Sequence, residues 1–297
     1  MEGIMSTTTT RTRTRTPEQR REQAKALHDQ LTAQVAELAQ GENWIAWLRF
    51  TANFRTLSMN NSWLIFAQRP DATRVLGYRQ WEKLGRHVRR GEKSIKIFGY
   101  STKKTVDVDE ESGEEITSRR AYYPVLSVFD ISQTDADEDA VEPVEITRHL
   151  VGEDETEIFE RTAAFMRGRG WDVELEDIAR DGLNGYTTPS TRQIRVDAKM
   201  SPAQRAKTMI HEAAHAILHV DEIEGESGHR GIRETEAEST AYVVAALLGL
   251  DTSDYSIGYV AGWAGADVDL IRSTATNVLR AVNILAEDLV DDEQLAE

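Results

Sequence analysis

The sequence predicts an α+β protein with two domains. Its 297 residues exceed the length of one ordinary domain. Apolar residues recur at helical spacing along most of the chain, but they alternate near its middle, as in strands. A strongly acidic stretch at residues 135–152 is interpreted as a linker. We therefore expect a domain of helices and a β-hairpin at 18–134, and a mainly helical domain with a small sheet at 153–290.

The amino-terminal domain follows a low-complexity tail. Residues 1–17 are rich in Thr and Arg and too polar to form a core, so we predict a disordered basic tail. After Gly91 the pattern alternates as far as Phe129, with a turn at Ser112-Gly113, which predicts a hairpin or small sheet. Before Gly91, helical spacing predicts four helices, at residues 17–41, 43–57, 60–68 and from 78 onward.

The carboxy-terminal domain is predicted to open with a helix at residues 153–167. Two strands follow, on either side of a turn region rich in Gly and Pro, at residues 171–175 and 193–196. Three longer helices are then predicted, at residues 202–219, 234–248 and 267–289. The last residues, 291–297, are predicted to form an acidic tail.

Composition excludes several classes of site. Cys is absent, which rules out disulfides, thiolate ligands and a cysteine nucleophile, so any metal must be held by His, Asp or Glu. No run approaches the roughly 18 apolar residues of a membrane helix, and residues 1–16 lack the apolar stretch of an export signal. We expect a cytoplasmic protein with no membrane partner.

The helix predicted at residues 202–219 carries a metal-binding pattern. His211 and His215 are four residues apart, so both rings lie on one face and can bind a single ion. Glu212 can then act as general base on a metal-activated water. Ser201-Pro202 is a typical helix start, and apolar residues surround the ligand face. The pattern predicts a catalytic zinc site.

The third zinc ligand must come from elsewhere in the chain. Glu234 and Glu238 share a face of the following helix, whereas Glu236 points elsewhere. We hypothesise that Glu234 binds zinc and that Glu238 accepts a hydrogen bond from a zinc-bound histidine. His219 and His229 are alternative ligands, although His219 is better interpreted as a helix-end residue near the terminal carbonyls. A donor to the developing oxyanion is also expected, and the candidates are Tyr255, Tyr259 and His229.

The amino-terminal half is basic and aromatic. Residues 43–104 contain 13 Lys and Arg against three acidic residues, with ten aromatic residues among them, whereas the whole chain has a net charge of −16. Such mixtures are typical of surfaces that hold single-stranded nucleic acid. The densest cationic stretch provides the candidate phosphate contacts Arg86, Arg89, Arg90 and Lys93. Trp81 is a candidate for base stacking, with a core position as the alternative.

At these residues the chain resembles a known family. The run HEAAHAILH at 211–219, with the acidic helix from Glu234, resembles the gluzincin-type domain of ArdC-type antirestriction proteins and of the related ImmA/IrrE endopeptidases. Residues 60–93 and 129–134 resemble the single-stranded-DNA-binding domain of ArdC-type proteins. The acidic insert at 222–226 departs from that pattern and leaves the ligand glutamate open. The resemblance covers residues 20–290.

The resemblance implies a cytoplasmic antirestriction protein of a mobile element or phage. It implies His211, His215 and Glu234 as zinc ligands, Glu212 as base, and partners that include single-stranded DNA and an unidentified protein substrate. Two other functions stay open: a regulatory protease that cleaves a repressor, and a non-proteolytic DNA-binding protein with a structural zinc. We expect residues 1–130 alone to bind single-stranded DNA, and residues 150–297 alone not to bind it.

Overall fold

The computed structural model describes residues 16–37, 41–108, 115–138, 140, 155–179, 182–220, 230–250 and 267–289. Its helices are α1 (Pro17–Glu37), α2 (Gly41–Phe54), α3 (Met59–Gln68), α4 (Tyr78–Lys83), α5 (Glu155–Gly168), α6 (Pro202–Leu218), α7 (Arg230–Leu247) and α8 (Val268–Leu289). Its strands are β1 (Val75–Gly77), β2 (Arg86–Val88), β3 (Ile95–Phe98), β4 (Ser101–Val108), β5 (Glu115–Tyr122), β6 (Val125–Asp130), β7 (Thr134–Ala136), β8 (Asp172–Glu176), β9 (Gly185–Thr188) and β10 (Gln193–Asp197).

These elements make an α+β fold, as predicted. None of the described helices is both long enough and apolar enough to cross a membrane. The predicted turn at Ser112-Gly113, the predicted acidic tail at 291–297 and residues 1–15 of the predicted basic tail lie outside the described residues. Pro17, which was assigned to the basic tail, is the first residue of α1.

Antiparallel strands follow the first helices in the amino-terminal half. Strand β6 lies between β1 and β3, and β4 pairs with β5 in a hairpin, in agreement with the alternating pattern. The prediction that the acidic linker begins at residue 135 is wrong. Asp135 and Ala136 belong to β7, which pairs with β2, and His87 contacts Asp137 just beyond that strand. Charge alone therefore misplaced this boundary, because Asp135 in the strand faces Arg89 and Asp137 beyond it faces His87.

The carboxy-terminal half builds helices on a three-stranded sheet. Strand β10 lies between β8, which is parallel to it, and β9, which is antiparallel and forms an edge. The sequence predicted a turn region where β9 lies, because four residues with Gly and Thr carry little apolar alternation. Helix α7 also begins four residues earlier than predicted. Glu234 therefore lies within the helix and not at its first residue.

The two halves share one hydrophobic core. Helices α1 to α3 pack against α7 and α8, so Trp44 and Trp47 lie in the same buried cluster as Val243 and Val278. A second, smaller cluster lies between α2, α3 and the β1–β6–β3 sheet. Neither predicted fragment, 1–130 or 150–297, therefore retains the complete core.

Two polar contacts join α2 to α7 within this core. The indole N–H of Trp44 donates a hydrogen bond to Ser239 Oγ at 2.9 Å, and the Arg49 Nε–H donates to the Tyr242 hydroxyl at 2.8 Å. A buried hydrogen bond of this kind stabilises a fold by about 1 kcal/mol, and losing one partner is more harmful than losing both. The helix that carries Glu234 is thus held from the amino-terminal half of the chain.

Candidate metal centre

Helix α6 begins at a side-chain cap and ends beside the centre. Ser201 accepts a hydrogen bond from the Gln204 backbone N–H, and Pro202 occupies the first turn, where its missing N–H is harmless. Met209, Ile210 and Ala213 are buried in the shared core. Because that face is buried, the opposite face, with His211 and His215, is turned toward α7.

Three donor atoms from α6 and α7 meet at one point. His211 Nε2 lies 3.1 Å from His215 Nε2. Glu234 Oε2 lies 3.6 Å from the first of these nitrogens and 3.7 Å from the second. Among the described residues this is the cluster of His and acidic side chains that could hold a metal ion. The structure therefore brings together the three residues that the sequence pointed to.

The spacing of these atoms fits a divalent transition metal. The nearest point that is equidistant from all three atoms lies about 2.0 Å from each, which matches the length of zinc bonds to imidazole nitrogen and carboxylate oxygen. Two imidazoles and one carboxylate also form the donor set of an open catalytic site, in which a fourth position is left for water or substrate. The residues present fit such an ion.

The electrostatics of the centre favour positive charge. Burial alone would lower the pKa of His211, but hydrogen bonds to Glu234 and Glu238, together with the nearby charge of Glu212, raise this pKa to about 10. Contacts with His211 and His215 hold the pKa of Glu234 well below its ordinary value. A divalent cation would supply the positive charge that these carboxylates favour, and would displace the proton.

A carboxylate and a hydroxyl orient two groups of the centre, His211 and Glu212. Glu238 Oε2 lies 3.0 Å from Nδ1 of His211, so an Nδ1–H donated to Glu238 leaves the Nε2 lone pair directed toward the centre. Glu212 is buried, and the Thr187 hydroxyl on β9 donates a hydrogen bond to its Oε2 at 2.7 Å. Strand β9 therefore orients the candidate general base.

A close backbone approach makes the contact with β9 possible. A Cβ atom on Gly185 would lie 2.8 Å from Thr208 Cγ2, 2.9 Å from the Arg195 carbonyl oxygen and 3.2 Å from Glu212 Cγ. The first two distances are shorter than real contacts allow, so the position accepts only glycine without rearrangement. This glycine lets the edge strand approach helix α6.

The sequence missed a buried chain of polar groups behind His215. His215 Nδ1 lies 3.1 Å from His219 Nδ1, and His219 Nε2 lies 2.9 Å from Glu236 Oε2. The Asn277 side chain donates a hydrogen bond from α8 to Glu236 Oε1 at 2.9 Å. His219 does lie at the end of α6, as predicted, but its ring contacts His215 and Glu236 and not the terminal carbonyl groups. Its spacing of four residues from His215 was a signal that the two rings share a face.

Glu236 was correctly separated from the ligand face, but it is not a solvated residue. Its side chain is buried on α7 against His219 and Asn277. The three candidate oxyanion donors, Tyr255, Tyr259 and His229, lie outside the described residues.

The structure contradicts the stacking role considered for Trp81. Its side chain is completely buried, and its indole N–H donates a hydrogen bond to the Phe129 carbonyl oxygen at 2.8 Å. A ring enclosed in this way has no face open to a base. Trp81 is a core residue of the amino-terminal domain, and its place on a helical stripe was the relevant signal.

The four candidate phosphate contacts divide into two pairs. Arg89 donates to the Ser132 and Thr134 carbonyl oxygens and to Glu92, and Arg86 donates to the Thr134 hydroxyl. These two guanidinium groups therefore hold β7 and the turn before it, which explains their sequence position without a phosphate. Arg90 and Lys93 are exposed beside Gly91, whose φ of +94° forms the turn.

Two family models match the chain in sequence order. The amino-terminal domain of the anti-restriction factor ArdC matches residues 17–129, and an IrrE N-terminal-like domain, peptidase M78, matches residues 168–255. An uncharacterized protein of Bacillus anthracis is 25% identical over an alignment of 288 residues. The match covers 85% of this chain and 49% of that protein. The chain thus spans about half the length of this curated relative.

Two solved structures of the antirestriction ArdC protein from the R388 plasmid are also similar. The metal-free structure is 26% identical, with a TM-score of 0.52, and the match covers 77% of this chain and 83% of that one. The Mn(II)-bound structure is 24% identical, with a TM-score of 0.58, and the match covers 89% and 98%; this second match shows the fold alone. With both domain matches in order and these structures spanning both, the chain has the ArdC-like architecture, an ArdC-type amino-terminal domain followed by an IrrE-like peptidase M78 domain.

Proposed function

We propose that this chain is an ArdC-like antirestriction protein of a mobile element or phage, with a zinc-dependent peptidase site and a domain that binds single-stranded DNA in the cytoplasm. The observation that carries the peptidase is the convergence of His211, His215 and Glu234, with Glu212 on the same helix. The M78 match at residues 168–255 includes all four residues. Antirestriction is the described role of the R388 protein with the similar fold.

The chain's own residues have separate tasks in this proposal. His211, His215 and Glu234 would hold the ion, which when bound polarises a peptide carbonyl and activates water. Glu212 accepts the proton of the attacking water and passes it to the leaving amine. Thr187 holds that carboxylate through Oε2. Removal of Glu212 should therefore abolish turnover without releasing the metal.

The edge strand offers a place for an extended peptide. Strand β9 pairs with β10 on one side only, among the residues that the structure describes. A substrate strand can add to such an edge through backbone hydrogen bonds. Because Thr187 on this strand contacts Glu212, a peptide paired there would pass the proposed base.

Zinc is the proposed ion, and Mn(II) is the second candidate. Two imidazoles and a carboxylate bind zinc more strongly than manganese, according to the general order of divalent metal affinities. Mn(II) remains a candidate because one of the R388 ArdC structures is described as Mn(II)-bound. Metal analysis of the purified protein, followed by competition between the two ions, would separate them.

The amino-terminal domain supports the DNA assignment through charge. Residues 1–104 carry 19 Lys and Arg against 9 Asp and Glu, whereas the rest of the chain carries 16 against 42. A polyanion is therefore attracted to one half and repelled by the other. The ArdC-type match at residues 17–129 covers most of the basic half.

The decisive experiment compares Glu212→Gln with the wild type in a restriction-protection assay. The control is Glu287→Gln, which alters an exposed carboxylate on α8. We expect Glu212→Gln to retain metal and DNA binding but to lose protection. Full protection by this variant would favour the non-proteolytic alternative with a structural metal. Loss of protection by the variant, together with cleavage by the wild type of a repressor and not of a restriction component, would favour the regulatory protease.

A further inference from the structure

Exposed tyrosines gather where two parts of the amino-terminal sheet join. Strands β3 and β6 run directly into the hairpin strands β4 and β5, and Tyr100, Tyr122 and Tyr123 lie at or beside this junction. Tyr100 is 70% exposed, Tyr123 is 62% exposed and Tyr122 is 49% exposed. Large aromatic side chains are usually buried or hydrogen-bonded within a fold, so three exposed rings at one junction indicate a binding surface.

Two of these rings contact each other edge to face. The Tyr100 and Tyr123 ring centroids are 5.9 Å apart, with planes inclined at 63°. The exposed Leu126 side chain lies against Gly99, the chain neighbour of Tyr100, because a Cβ on Gly99 would be only 2.6 Å from Leu126 Cδ1. The surface is therefore aromatic and apolar, and faces outward.

The adjoining hairpin brings basic residues into opposed positions. Lys103 is the register partner of Arg120, and Lys104 is the register partner of Arg119. Like charges directly opposite each other destabilise a pair of strands. Basic positions grouped in this way attract a polyanion.

The positive charge is confined to the hairpin end that carries the tyrosines. Ser101 pairs with Tyr122, and the four basic positions follow within three residues on each strand, or about 10 Å. Farther along the hairpin, Asp107 and Glu115 are acidic. The combination of aromatic and cationic groups is therefore local.

We propose that this tyrosine junction, defined as Tyr100, Tyr122 and Tyr123, is the platform on which single-stranded DNA stacks, with the Lys103–Arg120 pair, which occupies the same strand face as Tyr122, supplying charge for its phosphates. The inference rests on the proposed DNA-binding function and gives it a location. Single strands have exposed base faces and a phosphate backbone, which aromatic and cationic groups match with little sequence preference. The predicted alternative around Arg86 to Lys93 has a buried tryptophan and two arginines engaged within the fold.

The test measures binding of a fluorescent oligothymidine by the full-length, metal-loaded protein at several salt concentrations. Tyr100→Ala with Tyr123→Ala should weaken binding at least about fivefold per stacked base without changing the salt dependence. Tyr100→Phe with Tyr123→Phe keeps the rings and should bind as the wild type does. Tyr78→Ala, which removes an exposed ring elsewhere in the domain, is the matched control.

The basic positions are tested by the salt dependence. Replacing Lys103 and Arg120 by Ala should reduce the slope of log affinity against log salt by roughly 1.4, since each phosphate contact on a single strand contributes about 0.7. Replacing Arg90 and Lys93 should have a smaller effect. Unchanged binding by the double tyrosine variant would overturn the platform and favour a protein partner for these rings. Failure of the wild-type protein to bind the oligonucleotide would overturn the DNA-binding function itself.

A second inference comes from an independent observation at the metal centre, and it also rests on the proposed function. We infer that Glu236 and His219 are positioning residues that orient His215. When Glu236 Oε2 accepts the Nε2–H of His219, Nδ1 of His219 becomes an acceptor for the Nδ1–H of His215. His215 then directs its Nε2 lone pair at the centre, as Glu238 makes His211 do. Each ligand histidine thus has its own carboxylate, one direct and one through a second ring.

The test measures metal affinity by competition with a chelator. Glu236→Gln should lower zinc affinity about 10- to 100-fold, the range for residues that orient a ligand. It should also change the visible spectrum of the cobalt-substituted protein, which a purely structural role would leave unaltered. Asn277→Ala, which removes the group holding Glu236, should have a smaller effect in the same direction. Wild-type affinity and spectrum in the two variants would overturn the positioning role, whereas a wild-type protein that binds no divalent metal would overturn the proposed metal site.

Discussion

At the scale of single residues, the metal centre depends on one carboxylate from α7. Glu234 Oε2 is the oxygen that completes the triangle with the two Nε2 atoms. Its side chain is also half-exposed, so its removal should disturb the core little. The centre should therefore be separable from folding by substitution at this position.

We expect the wild-type protein to bind about one zinc per chain and Glu234→Ala to lose it. His211→Ala should have the same result, because either change leaves only two protein donors. Metal content after dialysis, measured by mass spectrometry, checks this expectation. Glu174→Ala, an exposed carboxylate on β8, is the control. If Glu234→Ala retained stoichiometric zinc, the third ligand would have to be another residue.

Gly185 provides a second test at the residue scale. Gly185→Ala would place a methyl group within 2.9 Å of the Arg195 carbonyl oxygen and 3.2 Å from Glu212 Cγ. We expect a loss of roughly 1–3 kcal/mol in the free energy of unfolding, as for overpacking of a tight site. Gly168→Ala is the control, because no atom lies within 4 Å of its added Cβ and alanine favours the helix. Equal stability of the two variants in urea unfolding would contradict the close approach of β9.

At the scale of elements, helix α6 carries both histidines and the base from one defined start. Ser201 caps the helix, and both β9 and α7 pack against it. The site therefore depends on the register of this helix, and the cap is a local determinant of where that register begins.

Ser201→Ala should lower the free energy of unfolding by about 0.5–2 kcal/mol, since one backbone N–H of the first turn loses its acceptor. Ser201→Asp should retain the wild-type value, because aspartate is also an effective cap. Thermal unfolding of the metal-free proteins measures both. Metal affinity should change little, because the ligands lie more than two turns beyond the cap. A Ser201→Ala variant as stable as the wild type would show that the Ser201 cap does not stabilise α6.

At the scale of the whole molecule, the shared core couples the two domains. Trp44 and Arg49 of α2 contact Ser239 and Tyr242 of α7, which also carries Glu234. The amino-terminal helices therefore support the metal-binding helix, although they contribute none of the donor atoms of the described cluster.

We expect the full chain to unfold in one cooperative transition, because neither half encloses the main core alone. Trp44→Phe should lower the temperature of that single transition, since it leaves the buried Ser239 hydroxyl without its indole donor. Calorimetry on the metal-free protein checks this. Trp44→Phe combined with Ser239→Ala should recover part of the loss. Two separate transitions, only one of them sensitive to Trp44, would contradict the coupling.

The same coupling changes how DNA binding can be assigned to one domain. A fragment of residues 150–297 would expose the faces of α7 and α8 that α1 to α3 cover. Its failure to bind DNA would not distinguish a lack of binding groups from a lack of folding. Substitutions in the full chain avoid this ambiguity.

Local spacing was enough to predict much of the centre. A separation of four residues places His211 and His215 on one face of any α-helix, and the same rule groups Glu234 with Glu238. Ser201-Pro202 predicted the start of α6, and the alternation of apolar residues predicted β3 and the β4–β5 hairpin. These features depend on backbone geometry within one element, which the order of residues determines directly.

The approach of one element to another was decided only by the tertiary structure. Helical spacing could not show that Glu236 meets His219 or that Arg89 holds the segment before β7. It also could not reveal β9, whose contact with Glu212 depends on a glycine in an otherwise unremarkable turn region. Side-chain periodicity specifies which residues share a face, whereas the partner of that face is set by packing among elements distant in the chain.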